Sequence, residues 1–266
     1  MHPAISINTL CLPPAPLGEQ VERIARIGAG GISPELDQVL AFGVAESARA
    51  FREAGLAVAT LTHRAFGYAT PAETDAARER LLRTIGIARD VGAATVIMTT
   101  GGRGDLNWPT AAARFADAMA PCAEAARAAG LRLGIEPTSH LYADVSIAHR
   151  LADTLALARG AGIAVMIDLF ACWTDADIEA VIAEAGADVA LVQVADYVYG
   201  DRGLPCRAVP GDGAVPLDRL IPAISRSGFT GWYDLEVIGP RLAAEGVEAG
   251  LRRAAEHVGQ FLETAR

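Results

Sequence analysis

Lysine is absent from this 266-residue chain, and all 23 of its Lys+Arg cations are arginine. A side-chain amine is what condenses with a carbonyl substrate to form a Schiff base, so lysine-dependent aldolase chemistry is excluded. Positive charge is scarce in general: 32 Asp+Glu leave a formal net charge of -9. Nucleic-acid binding rests on Lys and Arg neutralising phosphates and releasing counterions, so no nucleic-acid partner is expected. Long apolar runs are missing too. The longest, residues 161–167, is closed by Asp168 and is far too short to span a bilayer, so no membrane partner is expected. Residues 1–14 show no basic leader followed by an apolar stretch and a small-residue cleavage site, which makes a soluble, cytoplasmic protein the expectation. Cys11, Cys122, Cys172 and Cys206 lack the paired spacing of a zinc knuckle or a redox dithiol, and reduced structural thiols are expected.

What is present is a rhythm. Short β-branched runs alternate with alanine-rich helical stretches along the whole chain, the pattern of repeated βα units. Eight strands are predicted, over residues 4–9, 31–36, 57–62, 95–99, 132–136, 164–168, 189–194 and 232–236. Between them, stretches such as 110–129 and 147–161 carry apolar residues at helical spacing and stop at Gly130 and Gly162. No strand is followed by a dinucleotide-type glycine fingerprint, and no linker or low-complexity tract divides the chain. The expected fold is therefore α/β, a single (β/α)8 TIM barrel occupying residues 1–266 as one domain.

In such a barrel the active site lies at the C-terminal ends of the strands, so polar residues that end apolar strands carry the information. Glu136, Asp168 and Glu236 each end one. Any one of them could cap the next helix or pair with an arginine. Three together would repel and raise one another's pKa unless a cation compensated them, which points to a bound divalent metal. Strand seven adds Gln193 and Asp196, of which Gln193 is nearer the strand end; its amide oxygen completes an all-oxygen shell suited to Mn2+ or Mg2+. Around this rim, His63 and His140 fall on loops expected to face the site. Arg207, on the long loop after strand seven, is the leading substrate residue, because a guanidinium forks onto a carboxylate or vicinal hydroxyls; the alternative is a surface pair with Asp201 or Asp212. Arg64 and Arg103 are weaker versions of the same idea, and Trp173 is a candidate pocket wall.

Glu136-Pro137, Asp168, the run Arg207-Ala208-Val209-Pro210-Gly211-Asp212-Gly213 and Glu236 stand in an order that resembles the xylose-isomerase-like barrels, the sugar phosphate isomerases and epimerases, over nearly the whole chain. The resemblance implies metal ligands at Glu136, Asp168, Gln193 and Glu236, where that family typically has glutamate, aspartate, histidine and glutamate. Gln193 departs from the histidine, although hydroxypyruvate-isomerase-like members carry glutamine there. Ala171 is a second departure, standing where many relatives have a histidine three residues after the aspartate.

The resemblance further implies that Glu136 and Glu236 lie on opposite sides of the substrate and act as acid and base as well as ligands. The expected activity is a divalent-metal-dependent isomerase or epimerase, hydroxypyruvate-isomerase-like or ketose 3-epimerase-like, acting on a small keto sugar or related polyhydroxy ketone through an enediolate. The alternative from the same intermediate is a dehydratase or lyase that eliminates a β-substituent from a keto-polyol or keto-glycoside. A metal-free sugar-binding or partner-docking barrel is a third reading. Homo-oligomerisation is expected from family habit.

Overall fold

Eight parallel strands close into one barrel in sequence order in the computed structural model of the chain, which describes residues 1–264. They are β1 (Ile5–Asn8), β2 (Gly31–Ser33), β3 (Ala57–Thr62), β4 (Ala93–Met98), β5 (Arg132–Ile135), β6 (Ala164–Asp168), β7 (Val189–Val194) and β8 (Tyr233–Leu235). The sequence bounds hold unchanged for β3, β6 and β7. β4 begins earlier than predicted, because the helix Pro71–Val91 stops on a left-handed Gly92 and hands over directly to Ala93. The helix expected over 147–161 starts only at Leu151. The residues before it are tied instead to the loop after β4, where Ile147 N–H donates to Thr100 Oγ1 at 2.8 Å and Gly101 N–H to Val145 O at 2.9 Å. Among the described residues no helix is long and apolar enough to cross a membrane.

Alternation along each strand sorts residues between two cores. Val96, Met98, Val165, Ile167, Val192, Val194, Tyr233 and Leu235 belong to the large core beneath the helices. Ile97, Met166 and Leu191 form a second, smaller cluster with Trp232 against it, and this cluster fills the barrel. Each such aliphatic side chain, fully buried, contributes about 1.5–3 kcal/mol. Gly134 belongs to this inner layer because there is no room for more: a Cβ there would lie 2.9 Å from Ile97 Cδ1. Two residues further along the same faces come Glu136, Asp168 and Gln193, so the two-residue period that packs the barrel also aims these polar groups at its mouth.

His63, expected to face the site, is placed elsewhere. It follows β3, is only 6% exposed, and shares a 2.9 Å hydrogen bond between its Nδ1 and Thr84 Oγ1 on the helix Pro71–Val91. The imidazole fills the seam between barrel and helix, where a polar ring can satisfy itself against a threonine hydroxyl. Burial, then the nearby Arg80 and Arg64, push its pKa down from 6.5 to about 4.

A histidine whose folded pKa lies below its unfolded value binds its proton more readily when unfolded, so its contribution is complete above pH 6.5 and is lost as pH falls toward about 4. The full effect is about 3 kcal/mol. The buried acids of the barrel mouth slope the opposite way over part of that window, since their folded pKa values are raised. The expected result is therefore a difference: subtracting the His63→Gln stability profile, measured by urea unfolding, from that of the wild type leaves a step between pH 4 and 6.5. A flat difference would place the imidazole in contact with solvent.

Candidate active site

Glu136 and Glu236 stand just beyond the last residues of β5 and β8, and Asp168 is the last residue of β6. Together with Arg207 they line one cavity of about 260 Å3 at the barrel mouth, walled further by Thr138 and Phe170. The structure thus brings the three predicted acids and the predicted arginine together. Gln193 sits between them at the end of β7, opposite Asp168 on one side and Asp234 on the other in the strand register.

Arg207 is not on the surface, and its partners are neither Asp201 nor Asp212. Those two acids pair with Arg241 and Arg253. The guanidinium of Arg207 forks onto Asp168, Nη1 to Oδ1 at 3.0 Å and Nη2 to Oδ2 at 2.7 Å, and Nη2 also reaches Glu236 Oε2 at 2.8 Å. Its carbon Cζ lies 4.6 Å above the centre of the Phe170 ring, which adds a cation–π contact. Burial works against the guanidinium charge, but Asp168 and Glu236 outweigh it and hold the proton more firmly than usual. Asp168 Oδ1 also accepts from Phe170 N–H at 3.0 Å, so the helix-capping role and the site role belong to one carboxylate.

Asp196 explains why the arginine's loop takes this path. Its buried carboxylate accepts the backbone N–H groups of Tyr197, Gly211, Gly213 and Val215 at 2.8–3.0 Å, folding the chain after β7 back on itself. Residue 213 must be glycine because a Cβ would lie 2.3 Å from Tyr197 O and 2.4 Å from Asp196 Oδ1. Asp196 is thus a positioning residue for Arg207.

Asp234 is a buried neighbour of the site that strand-end reasoning passed over, because it lies inside β8 and not at its end. It is fully buried and accepts from Ser6 Oγ at 2.7 Å, Ser33 Oγ at 2.6 Å and Asn8 Nδ2 at 3.3 Å. The signal was available: Asp234 shares the inward parity of Glu236. Burial raises its pKa against these hydrogen bonds and one from Gln193. Gln193 Oε1 is buried without a hydrogen-bond partner among the described residues.

Four carboxylates therefore lie close together with one guanidinium, which contacts two of them. Burial raises Glu136 well above the usual carboxylate range, and Glu236 and Asp168 add to the effect while Arg207 opposes it from a distance. Burial lifts Glu236 to about 7 despite its contact with Arg207, with Asp168 and Asp234 contributing. Excess buried negative charge, oxygen donors alone and an orphaned amide oxygen on the neighbouring strand fit a hard divalent cation in chemistry and in charge. The side chains do not stand as a finished cage. Among the described residues no three His, Cys, Asp or Glu groups converge on one ion, and Arg207 takes both oxygens of Asp168 and one of Glu236.

The remaining sequence candidates are dispersed. His140 and Trp173 line a second chamber outside the first. Arg103 is exposed and donates to Leu106 O at 3.0 Å within its own loop, and Arg64 pairs with Asp37. All four cysteines are free and buried; Cys172 donates to Asp168 O at 3.0 Å, and burial keeps it a thiol well above its ordinary pKa.

The fold has many counterparts among solved structures. A protein of Sinorhizobium meliloti 1021 superposes with a TM-score of 0.86 at 25% identity over 98% of both chains. The structure of an L-ribulose 3-epimerase does so with a TM-score of 0.79 at 22% identity, over 98% of this chain and 95% of the other. An IolI protein whose structure holds a zinc atom matches with a TM-score of 0.85 at 14% identity, over 100% of this chain and 99% of the other. No curated protein matches the sequence. The sequence model for xylose isomerase-like TIM barrels matches residues 21–259, nearly the full length, and the closed eight-stranded barrel agrees with it: the chain belongs to the xylose isomerase-like TIM barrel family.

Proposed function

We propose that the protein is a divalent-metal-dependent isomerase or epimerase of a small keto sugar or related polyhydroxy ketone. The observation that carries this reading is the pair Glu136 and Glu236 facing one cavity with raised pKa values, beside the unpartnered Gln193 Oε1. The likeness in fold to an L-ribulose 3-epimerase supports it.

Proton transfer next to a carbonyl needs a base that is ionised and an acid that is not, both near neutrality. This chain separates two like residues to that end. Glu236, in contact with Arg207, is the more readily ionised and takes the proton from the carbon beside the carbonyl. The electron pair of that C–H bond moves into the adjacent carbon–carbon bond as the carbonyl becomes an enediolate. Glu136, which lines the same cavity, would return a proton. Return to the opposite face of the same carbon inverts its configuration; return to the neighbouring carbon exchanges aldose and ketose. Glu136, Asp168, Gln193 and Glu236 would hold Mn2+ or Mg2+, which when bound polarises the carbonyl and stabilises the developing negative charge. Arg207, which holds Asp168 and Glu236 in place, would keep its remaining N–H groups for substrate oxygens.

Solvent-deuterium incorporation into a panel of keto sugars and keto acids, followed by mass spectrometry, tests the enolisation itself. Exchange into at least one ketone is expected with Mn2+ or Mg2+ present. Glu136→Gln and Glu236→Gln should each reduce exchange at least about a hundredfold with the fold intact. Full exchange in either variant removes that residue from the mechanism, and loss of a β-substituent with exchange makes the protein a lyase.

Metal binding has a readout of its own. Removing the guanidinium leaves buried acids uncompensated, so Arg207→Ala should lose about 3–5 kcal/mol of stability in metal-free buffer. Added Mn2+ or Mg2+ should raise its Tm more than that of the wild type. No Tm shift in either protein with Mn2+, Mg2+, Co2+ or Zn2+ overturns the metal assignment.

A further inference from the structure

The cavity over the carboxylates is only the inner of two. A second chamber of about 660 Å3 adjoins it, and Ser139, Phe170, Ala171, Leu204 and Cys206 line both. At the boundary, Ala171 presents a single methyl group, so the wall between the chambers is low at that point. Ligand sites usually fill about 300–1,000 Å3, and the inner cavity of about 260 Å3 falls short of that range by itself.

The outer chamber has a composition that selects its occupant. Four aromatic rings run in contact from the boundary to solvent: Phe170 to Tyr197 at 6.2 Å between centroids, Tyr197 to Trp173 at 6.2 Å, and Trp173 to Tyr199 at 6.2 Å. Phe170 is also the ring beneath the Arg207 guanidinium, so the aromatic series begins at the catalytic residues themselves. Tyr199, at the outer end of the series, is 75% exposed. Charge on the chamber's lining is balanced, with Arg150 and Arg202 facing Asp175 and Asp201. Arg150 is committed to Asp177 at 2.8 Å and Asp201 to Arg241 at 2.6 Å. Such a lining offers a phosphate no excess of positive charge, and offers a flat, uncharged ring several faces to lie on.

We propose that the outer chamber is a subsite for an uncharged ring carried by the substrate, which extends past Ala171 to stack on Trp173 and Tyr197 while its hydroxyketone end occupies the inner cavity. This rests on the hydroxyketone reading above for the inner end only. A second sugar, through its C–H face, and an aryl group both supply the required apolar ring face.

Isothermal titration of the metal-loaded protein with fructose, isomaltulose and phenacyl alcohol separates the possibilities, since the last two add a glucosyl ring and an aryl ring to a hydroxyketone. At least one ring-bearing ketone should bind about five- to tenfold more tightly than fructose. That ratio should collapse toward one in Ala171→Phe, which blocks the passage, and in Trp173→Ala; Tyr199→Ala, at an exposed position, should lower it without threatening the fold. Whichever ligand keeps the advantage identifies the ring as sugar or aryl. Equal affinity for all three ligands, no binding of either ring-bearing ketone, or an advantage that survives every variant overturns the subsite. Maltose, which has two rings and no ketone, distinguishes the two readings: Trp173-dependent maltose binding with no binding of fructose supports the subsite and refutes the hydroxyketone end.

Discussion

The Arg207 guanidinium lies 2.7 Å from Asp168 and 2.8 Å from Glu236, and much of the barrel mouth is arranged around that contact. Burying a guanidinium and several carboxylates is costly, and the cost is offset only where geometry lets each hydrogen-bonding group find a partner. Asp168 meets the condition with both oxygens on the fork and one shared with a backbone N–H. Glu136 does not, and its raised pKa reflects this. The same imbalance that destabilises an ionised Glu136 sets it apart from Asp168 within one cavity.

Holding an arginine at that point requires machinery well away from it. Asp196 gathers four backbone N–H groups from the loop that carries Arg207, and Gly213 leaves room for the approach. On the other side Asp234, fixed by Ser6, Ser33 and Asn8, lies opposite Gln193 in the strand register, and the Gln193 amide oxygen is left without a partner. Two buried aspartates thus lie behind Arg207 and Gln193, one folding the loop of the first and one paired in register with the second.

The acids at the strand ends were legible because a strand has a period of two and a barrel has an inside. Once β5, β6 and β8 are recognised, Glu136, Asp168 and Glu236 have only one place to point. Asp234 obeyed the same parity but sat one step below the rim, where a search confined to strand ends does not look. His63 was misplaced for a different reason. A residue just beyond a strand can turn toward the mouth or back against the neighbouring helix, and the choice depends on Thr84, 21 residues later, being there to receive it. Arg207 was expected at the barrel mouth and lines its cavity, but its bonding to Asp168 spans 39 positions and has no local signature.

By itself the sequence determined the order of eight βα units, their closure into one barrel and the identity of the residues at its mouth, because these follow from local periodicity and from residues that end strands. Tertiary structure alone decided which charges meet. Coulombic energy and desolvation depend on distance and burial, and neither is a property of position along the chain. The folded barrel is what puts two carboxylates on one arginine, leaves one amide oxygen without a partner, and sets the inner cavity beside a run of aromatic rings.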